Sequence, residues 1–367
     1  MRRQQARFAR CGKLTSAMKN TSSTRTVGLD LGDRKHAVCV LDAKGEILKE
    51  ESITNTRANL TALSRRHPKA LMVMEVGMQS PWISRYLKEL GHRVLVANPR
   101  KVRAIYKNDR KSDRKDAEML ARIARTDEKL LHPVEHGTED MQLDLLQIKL
   151  RDNLVRQRVD IISSVRFTLK SLGIKLRSTN TASFARYARK ALKPEHSNVL
   201  PLIEPSLVVL DSMTAQIRDL EKSIETTACK KYPETEYLTQ IAGVGTLTSL
   251  TFILTVGDPT RFRRRRDVAA YFGLVPKRDQ SGDTDKQLRI SKAGDSYMRR
   301  LLVNAAQYIL GPFGPDCALK RQGLKLAERG GGRAKKKAVI AIARKLAVLM
   351  LALWYDEELY DPERGIA

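Results

Sequence analysis

Aromatic residues make up only 5% of this 367-residue chain, and acidic residues are scarce relative to basic ones. Lys plus Arg number 68 against 41 Asp plus Glu, a formal net charge of +27. That imbalance argues for a polyanionic partner. The cations are spread through globular-looking segments, so nucleic acid is favoured over a membrane surface. Cysteine is sparse as well. Cys11, Cys39, Cys229 and Cys317 show no CxxC and no Cys/His ligand spacing, which speaks against a zinc site or a disulfide framework. Reduced thiols in a cytosolic protein are expected. The basic start, Met1-Arg2-Arg3-Gln4, has no apolar segment behind it and is not read as a signal peptide. The longest late apolar stretch, Ala338 to Trp354, is broken by Arg344 and Lys345. It is expected to fall short of the roughly 20 apolar residues of a membrane span.

What the chain does have is 42% hydrophobic residues, enough for two or three domain cores. It also has four unusually placed carboxylates. Asp30 lies in Val27-Gly28-Leu29-Asp30-Leu31-Gly32, and Glu75 ends Leu71-Met72-Val73-Met74-Glu75. On such apolar stretches a carboxylate is costly unless it is paired or coordinates a metal. Asp113 and Asp116 follow in Lys111-Ser112-Asp113-Arg114-Lys115-Asp116-Ala117, on one face if that segment is helical. Clustered acids from separate elements can hold two Mg2+ ions for phosphoryl transfer. Their order therefore suggests a nuclease-like metal site.

Residues 1–24 read as a flexible basic tail. Thr26 to Leu31, His36 to Leu41 and Glu46 to Ile53 read as three strands, with Asp42-Ala43-Lys44-Gly45 as a hairpin turn. A helix over Arg57 to Arg66, a buried strand over Ala70 to Val76, a helix over Pro81 to Leu90 and a strand over His92 to Ala97 follow. Lys111 to Arg125 is a further helix. This order predicts a ribonuclease H-like (RuvC-like) α/β domain over 25–135. Residues 136–232 read as a helical, coiled-coil-like middle, because apolar positions keep helical spacing in two long runs. Leu143, Leu146, Leu150, Leu154, Ile161, Val165 and Leu169 mark the first, and Leu207, Leu210, Thr214, Ile217, Leu220 and Ile224 mark the second. A self-association arm and an intramolecular helical hairpin both fit that pattern. A polar, less regular insert over 177–198 lies between the two runs.

A mostly helical domain is expected over 233–356, with a short tail at 357–367. Gln240-Ile241-Ala242-Gly243-Val244-Gly245 resembles the turn of a helix-hairpin-helix element, where Gly243 and Gly245 would let backbone N–H groups approach a phosphate. A plain helix-joining turn fits equally. Arg261, Arg263, Arg264, Arg265 and Arg266 form a run too dense in charge for a core, and beside the glycine turn a phosphate contact is favoured. Lys277, Arg278 and Lys292, with Arg100, Lys101, Arg103 and Lys107 nearer the N-terminus, are the other candidate nucleic-acid contacts. Between Pro276 and Ser291 lies a polar loop containing Ser281-Gly282. Serine needs a base or a metal to act as a nucleophile, and no histidine is local. Taken alone, Ser281 reads as a turn serine, and Ser291 and Ser296 suit cap or turn roles.

The combination resembles the DEDD transposases of bacterial insertion sequences, described as bridge-RNA-guided recombinases. The order Gly28-Leu29-Asp30, Met74-Glu75-Val76-Gly77 and Ser112-Asp113-Arg114-Lys115-Asp116-Ala117 carries the first half of the likeness. Ile241-Ala242-Gly243-Val244-Gly245, Ala270-Tyr271-Phe272-Gly273-Leu274-Val275-Pro276 and Arg289-Ile290-Ser291-Lys292-Ala293-Gly294 carry the second. The resemblance implies a RuvC-like domain holding Mg2+ on Asp30, Glu75, Asp113 and Asp116, and a dimerising coiled coil. It also implies a transposase domain in which Ser281 is the nucleophile. Cleavage would pass through a phosphoserine link to DNA, and a structured non-coding RNA would select donor and target DNA. Active sites would be completed between subunits of a dimer or tetramer, with no membrane involved. A RuvC-like structure-specific nuclease using water is the main alternative. A sugar-kinase or actin-like ATPase lacks its second phosphate-binding strand here, and a non-catalytic nucleic-acid-binding protein leaves the four acids unexplained.

Overall fold

The computed structural model describes residues 25–102, 112–192, 196–328 and 330–363. The basic tail 1–24, Arg103 and Lys107 lie outside these residues. The chain divides into two compact units at His136/Gly137.

The first unit opens with three antiparallel strands, β1 (Thr26–Leu31), β2 (Lys35–Leu41) and β3 (Ile47–Thr54). Asp42 forms the turn between the last two. Its Oδ1 accepts the N–H groups of Lys44, Gly45 and Glu46 at 2.8, 2.7 and 2.8 Å, which holds its carboxyl below the usual range. β3 is the sheet edge, and its exposed Lys49 and Glu50 discourage pairing with another chain. α1 (Arg57–Arg66), capped by Thr56 Oγ1 on Asn59 N–H, leads into β4 (Leu71–Glu75). β4 pairs parallel with β1, and β5 (Arg93–Ala97), reached through α2 (Ser80–Glu89), pairs parallel with β4. The order β3-β2-β1-β4-β5 is that of a mixed sheet, consistent with the ribonuclease H-like layer expected from sequence.

Alternation sorts the strands between two faces. Val27, Leu29, Val38, Val40, Met72 and Met74 pack with Leu60, Leu63, Ile83 and Leu87 of α1 and α2. On the other face lie Leu71, Val73, Cys39 and Leu41, against α3 (Asp113–Thr126) through Ala117, Leu120, Ala121 and Ala124. β4 is therefore apolar on both sides, as expected for a central strand with parallel neighbours. The alanines of α3 let it press on β1 at Gly28, where a Cβ would stand 1.9 Å from the Ala117 carbonyl oxygen. That clash is with backbone and cannot be relieved by a rotamer change. Gly28→Val is expected to destabilise the first unit by about 3 kcal/mol, at the upper end of overpacking. An unchanged denaturant midpoint for that unit would refute the close approach.

The second unit begins with α4 (Glu139–Ser171), which pairs antiparallel with α6 (Leu200–Lys231). Lys231 Nζ lies 3.0 Å from Asp144, Ser223 Oγ 3.0 Å from Gln147 and Arg158 3.3 Å from Thr214, which sets the antiparallel sense. Ile162, Val165 and Leu169 meet Leu207 and Leu210 in the seam. The hairpin is thus formed within one chain. The predicted apolar run is only partly used by it, because Leu143, Leu146 and Leu150 face outward at 55, 48 and 49% exposure. Val165 and Leu169 of the run do enter the seam, and Asp144, Ile148, Arg158 and Ile162, which lie off it, are buried as well. The insert between the long helices is more ordered than expected. It contains α5 (Phe184–Leu192), whose Phe184, Ala185, Ala188 and Leu192 are buried against α4 and α6.

The remaining elements share one core with the base of that hairpin, since Ile148, Ile224 and Ala228 lie in it with Phe252, Phe272, Leu302 and Met350. They are α7 (Thr235–Thr239), α8 (Thr246–Val256), α9 (Asp267–Tyr271), α10 (Ser296–Leu310), α11 (Ala318–Ala327) and α12 (Gly331–Asp356), while strands β6 (Pro276–Ser281) and β7 (Thr284–Ile290), between α9 and α10, stand outside that core. By length and composition α12 is long and apolar enough to cross a membrane, contrary to the sequence expectation. It is a core helix here, with Ile342, Leu346, Met350 and Leu353 fully enclosed.

Candidate active site

Asp30 and Glu75 occupy the C-terminal ends of neighbouring parallel strands, one residue beyond the Leu29/Met74 pair. Period-two alternation puts Asp30 on the face of Gly28 and Glu75 on the face of Val73, the face covered by α3. α3 begins close to that edge, because Ala117 rests on Gly28. Ser112 caps the helix, accepting Lys115 N–H at 3.4 Å, so Asp113 and Asp116 fall in its first turn. Carboxylates there also suit the positive end of the helix dipole. Asp113 is exposed, whereas Asp30, Glu75 and Asp116 are half-buried. The carboxyl ends of parallel strands are where α/β sheets present ligand sites. Among the described residues, however, no three His, Cys, Asp or Glu side chains are gathered closely enough to hold a metal ion. The four acids thus share one edge and one face without forming a closed donor cluster.

The segment that follows Glu75 is braced. Ser80 Oγ is fully buried, donates to the Gly77 carbonyl at 2.8 Å and accepts Gly77 N–H at 3.1 Å. His136 Nε2 lies 2.9 Å from the same oxygen and donates to it, because the hydroxyl's one proton is already used. Burial, with Arg85 and Lys88 nearby, holds the His136 pKa down. This Ser–His pair is a brace, since an enclosed hydroxyl has no access to substrate. Gln79 Nε2 reaches Asp33 Oδ1 at 3.2 Å and ties this loop to the one after β1. His36 is also buried, and burial lowers its pKa, but alternation puts it with Val38 and Val40 on the face away from the acids.

In the second unit, the predicted polar loop is a two-stranded ribbon. Ser281 pairs with Thr284 at its tip, across the turn Gly282-Asp283, with Gly282 at φ 52°. A polar sequence gave no alternation to read as strands, because nothing covers either face: every residue from Lys277 to Arg289 is exposed. The root of the ribbon is rigid. Ser291 N–H donates to Val275 O at 2.9 Å and Lys292 N–H to Gly273 O at 3.1 Å. A Cβ on Gly273 would stand 2.1 Å from Ala293 N, and one on Gly294 would stand 2.1 Å from Tyr271 O. Arg299, which sequence reasoning passed over, donates Nη1 to the carbonyls of Phe272 and Ala293 at 3.0 and 2.6 Å. Ser291 takes a turn role, 3.4 Å from Ala293 N. Ser296 is the first residue of α10, and Asp295 does the capping through Met298 N–H at 2.8 Å.

The candidate nucleic-acid contacts divide on their partners. Arg261 Nη1 caps the Val256 carbonyl at 2.9 Å and lies over the Tyr271 ring, and Arg265 makes a bidentate pair with Asp356 at 2.6 Å. Arg278 is held bidentately by Asp285 at 2.7 and 2.6 Å. Arg263, Arg264 and Arg266 are exposed and have no side-chain partner among the described residues. Lys277, Lys292, Arg100 and Lys101 are exposed as well, the last two on a short helical turn, Pro99–Val102. Gly243, at φ 85°, is packed against Tyr308 and Ala305 of α10, while Gly245, at the start of α8, is open on its Cβ side. Replacing Arg263, Arg264 and Arg266 by Gln should flatten the salt dependence of DNA binding, by roughly 0.9 in log–log slope for each duplex phosphate no longer neutralised. A slope equal to that of the parent protein would show that the run faces away from nucleic acid.

Comparison with known proteins bears on both regions. A DEDD transposase model of the IS110 type matches residues 27–174, which contain all four acids. A model described as the transposase IS116/IS110/IS902 family matches residues 235–316, which contain the ribbon. The transposase for insertion sequence element IS1328 of Yersinia enterocolitica is 28% identical, over 88% of this chain and 94% of its own length. The transposase for IS1111A of Coxiella burnetii is 27% identical over 93% of each chain. The pilin gene-inverting protein of Moraxella lacunata is 25% identical over 74% of this chain and 75% of its own length. Two matching models of one kind, covering more than half of the residues between them, place this chain in the IS110/IS116 family of insertion-sequence transposases.

Proposed function

We propose that this transposase cuts and rejoins DNA through a covalent serine intermediate, with Mg2+ held by Asp30, Glu75, Asp113 and Asp116. The observation that carries the reading is the arrangement of the acids on one face at the carboxyl edge of two adjacent parallel strands. An all-oxygen, multiply charged donor set matches a hard divalent cation. Because the acids do not form a closed cluster, binding requires their side chains to turn toward one another. When bound, Mg2+ supplies positive charge at the attacking and leaving oxygens. Ser281 Oγ forms a bond to phosphorus while the bond to the 3′ oxygen breaks; the serine proton passes to solvent and the leaving oxygen ends as a 3′ hydroxyl. Attack by a 3′ hydroxyl of another strand reverses the step and restores the serine.

A structured guide RNA would choose both DNA partners by base pairing, leaving the protein to read backbone and shape. The exposed Leu143, Leu146 and Leu150 support self-association along α4, giving the expected dimer or tetramer. Recombination also accords with a relative named for inverting a pilin gene. The test is Ser281→Ala, assayed on a plasmid carrying the gene with its flanking DNA and RNA transcribed from those flanks. The variant should form no denaturation-resistant protein–DNA adduct and make no cut. Cutting without an adduct would favour the water-using, RuvC-like nuclease.

A further inference from the structure

The ribbon's register carries one more assignment. Residues directly opposite in an antiparallel pair project to the same side, and so do alternate residues along a strand. Ser281 is opposite Thr284 and Asp279 is opposite Lys286, so these four share a face. Gln280 is opposite Asp285 and Arg278 is opposite Gln287, on the other face. The bidentate Arg278–Asp285 pair lies across that second face, which bears out the alternation. Arg278 is thereby engaged, and Arg289 lies in the stretch between Gln287 and Ile290 that carries the extra residue of the register shift, at the ribbon root and away from its tip. Lys277 falls within the register shift at the ribbon root. The remaining ribbon cation is Lys286, diagonal to Ser281, a spacing that long side chains bridge.

We infer that Lys286 contacts the DNA phosphate attacked by Ser281, donating its ammonium to a non-bridging oxygen. The assignment rests on the serine reading above. A phosphodiester repels an incoming nucleophile through its negative oxygens, and a cation held beside the hydroxyl offsets that charge as it grows in the transition state. Lysine acts here as a compact point charge, the role it has at many phosphate sites. Among the described residues Lys286 has no ion-pair partner, and Asp279 opposite makes none with it, so its ammonium is available to a substrate. Among the described residues every side chain from Lys277 to Arg289 is exposed, so a strand of DNA can lie along the serine face.

The test uses the full chain with the plasmid and RNA probe described above. At saturating DNA, Lys286→Met should lower the rate of adduct formation by about a hundredfold, while DNA affinity changes little, as one of many cations is lost. Lys286→Arg should recover part of the rate. Lys286→Cys treated with bromoethylamine, which rebuilds an ammonium on the same side, should recover more, against treated wild-type protein as the control for exposed Cys229. A Lys286→Met protein at the wild-type rate overturns the inference. So does a variant whose loss disappears at saturating DNA, or one that no restored cation rescues. Adduct formation by Ser281→Ala would instead overturn the serine reading, so the two failures are distinguishable.

Discussion

Asp30→Asn protein is expected to lose at least about a thousandfold in strand cleavage, corresponding to about 4 kcal/mol of transition-state stabilisation. The substitution keeps shape and removes one negative oxygen donor, so on the proposed Mg2+ reading the underfilled site would no longer hold its ions. Glu75→Gln, Asp113→Asn and Asp116→Asn should behave alike, with Asp113 the mildest because it is the most exposed of the four. Removing a carboxylate does not weaken the Lys/Arg surface, so nucleic-acid affinity should persist. Excess EDTA should abolish cleavage by the parent protein, and added Mg2+ should restore it. Wild-type rates in Asp30→Asn or in EDTA would rule out the metal assignment.

A mixture of Ser281→Ala and Asp30→Ala proteins should regain strand cleavage that neither shows alone. Asp30 lies in the first compact unit and Ser281 in the second, at the tip of an exposed ribbon. If the serine of one protomer completes the acids of another, a mixed assembly contains one composite site with both parts intact. Random pairing of equal amounts of two variants makes about half of all dimers mixed, so recovery should be a sizeable fraction of wild-type cleavage rather than a trace. The check is cleavage as a function of mixing ratio, alongside proof that mixed oligomers form. A mixture as dead as either variant, with mixed oligomers present, would mean that the serine acts on acids of its own chain.

The strands and helices of the first unit were legible because burial is imposed periodically. β4 is covered on both faces and reads as the unbroken run Leu71 to Met74, while α3 carries Ala117, Leu120, Ala121 and Ala124 at helical spacing. The same logic failed where burial is absent or divided. Both faces of the β6–β7 ribbon are exposed, so its residues show no alternation and read as a loop. On α4, leucines at helical spacing lie outside the seam, because spacing marks a face without saying what the face meets. The arginine run looked uniform, yet Arg261 caps a carbonyl and Arg265 pairs with Asp356, more than 90 residues further along the chain.

By itself, then, the amino-acid sequence determined the charge balance, the α/β order of the first unit, the candidate acids and the family motifs, all of which depend on residue type and local period. Only the tertiary structure decided which acids share an edge and a face, because that follows from the parallel pairing of β1 with β4 and the packing of α3 on Gly28. It alone decided that the Gly273 and Gly294 motifs lock the root of a ribbon, and that Lys286 lies on the side of Ser281. Strand register and backbone contact join residues far apart in sequence, and no local pattern encodes them.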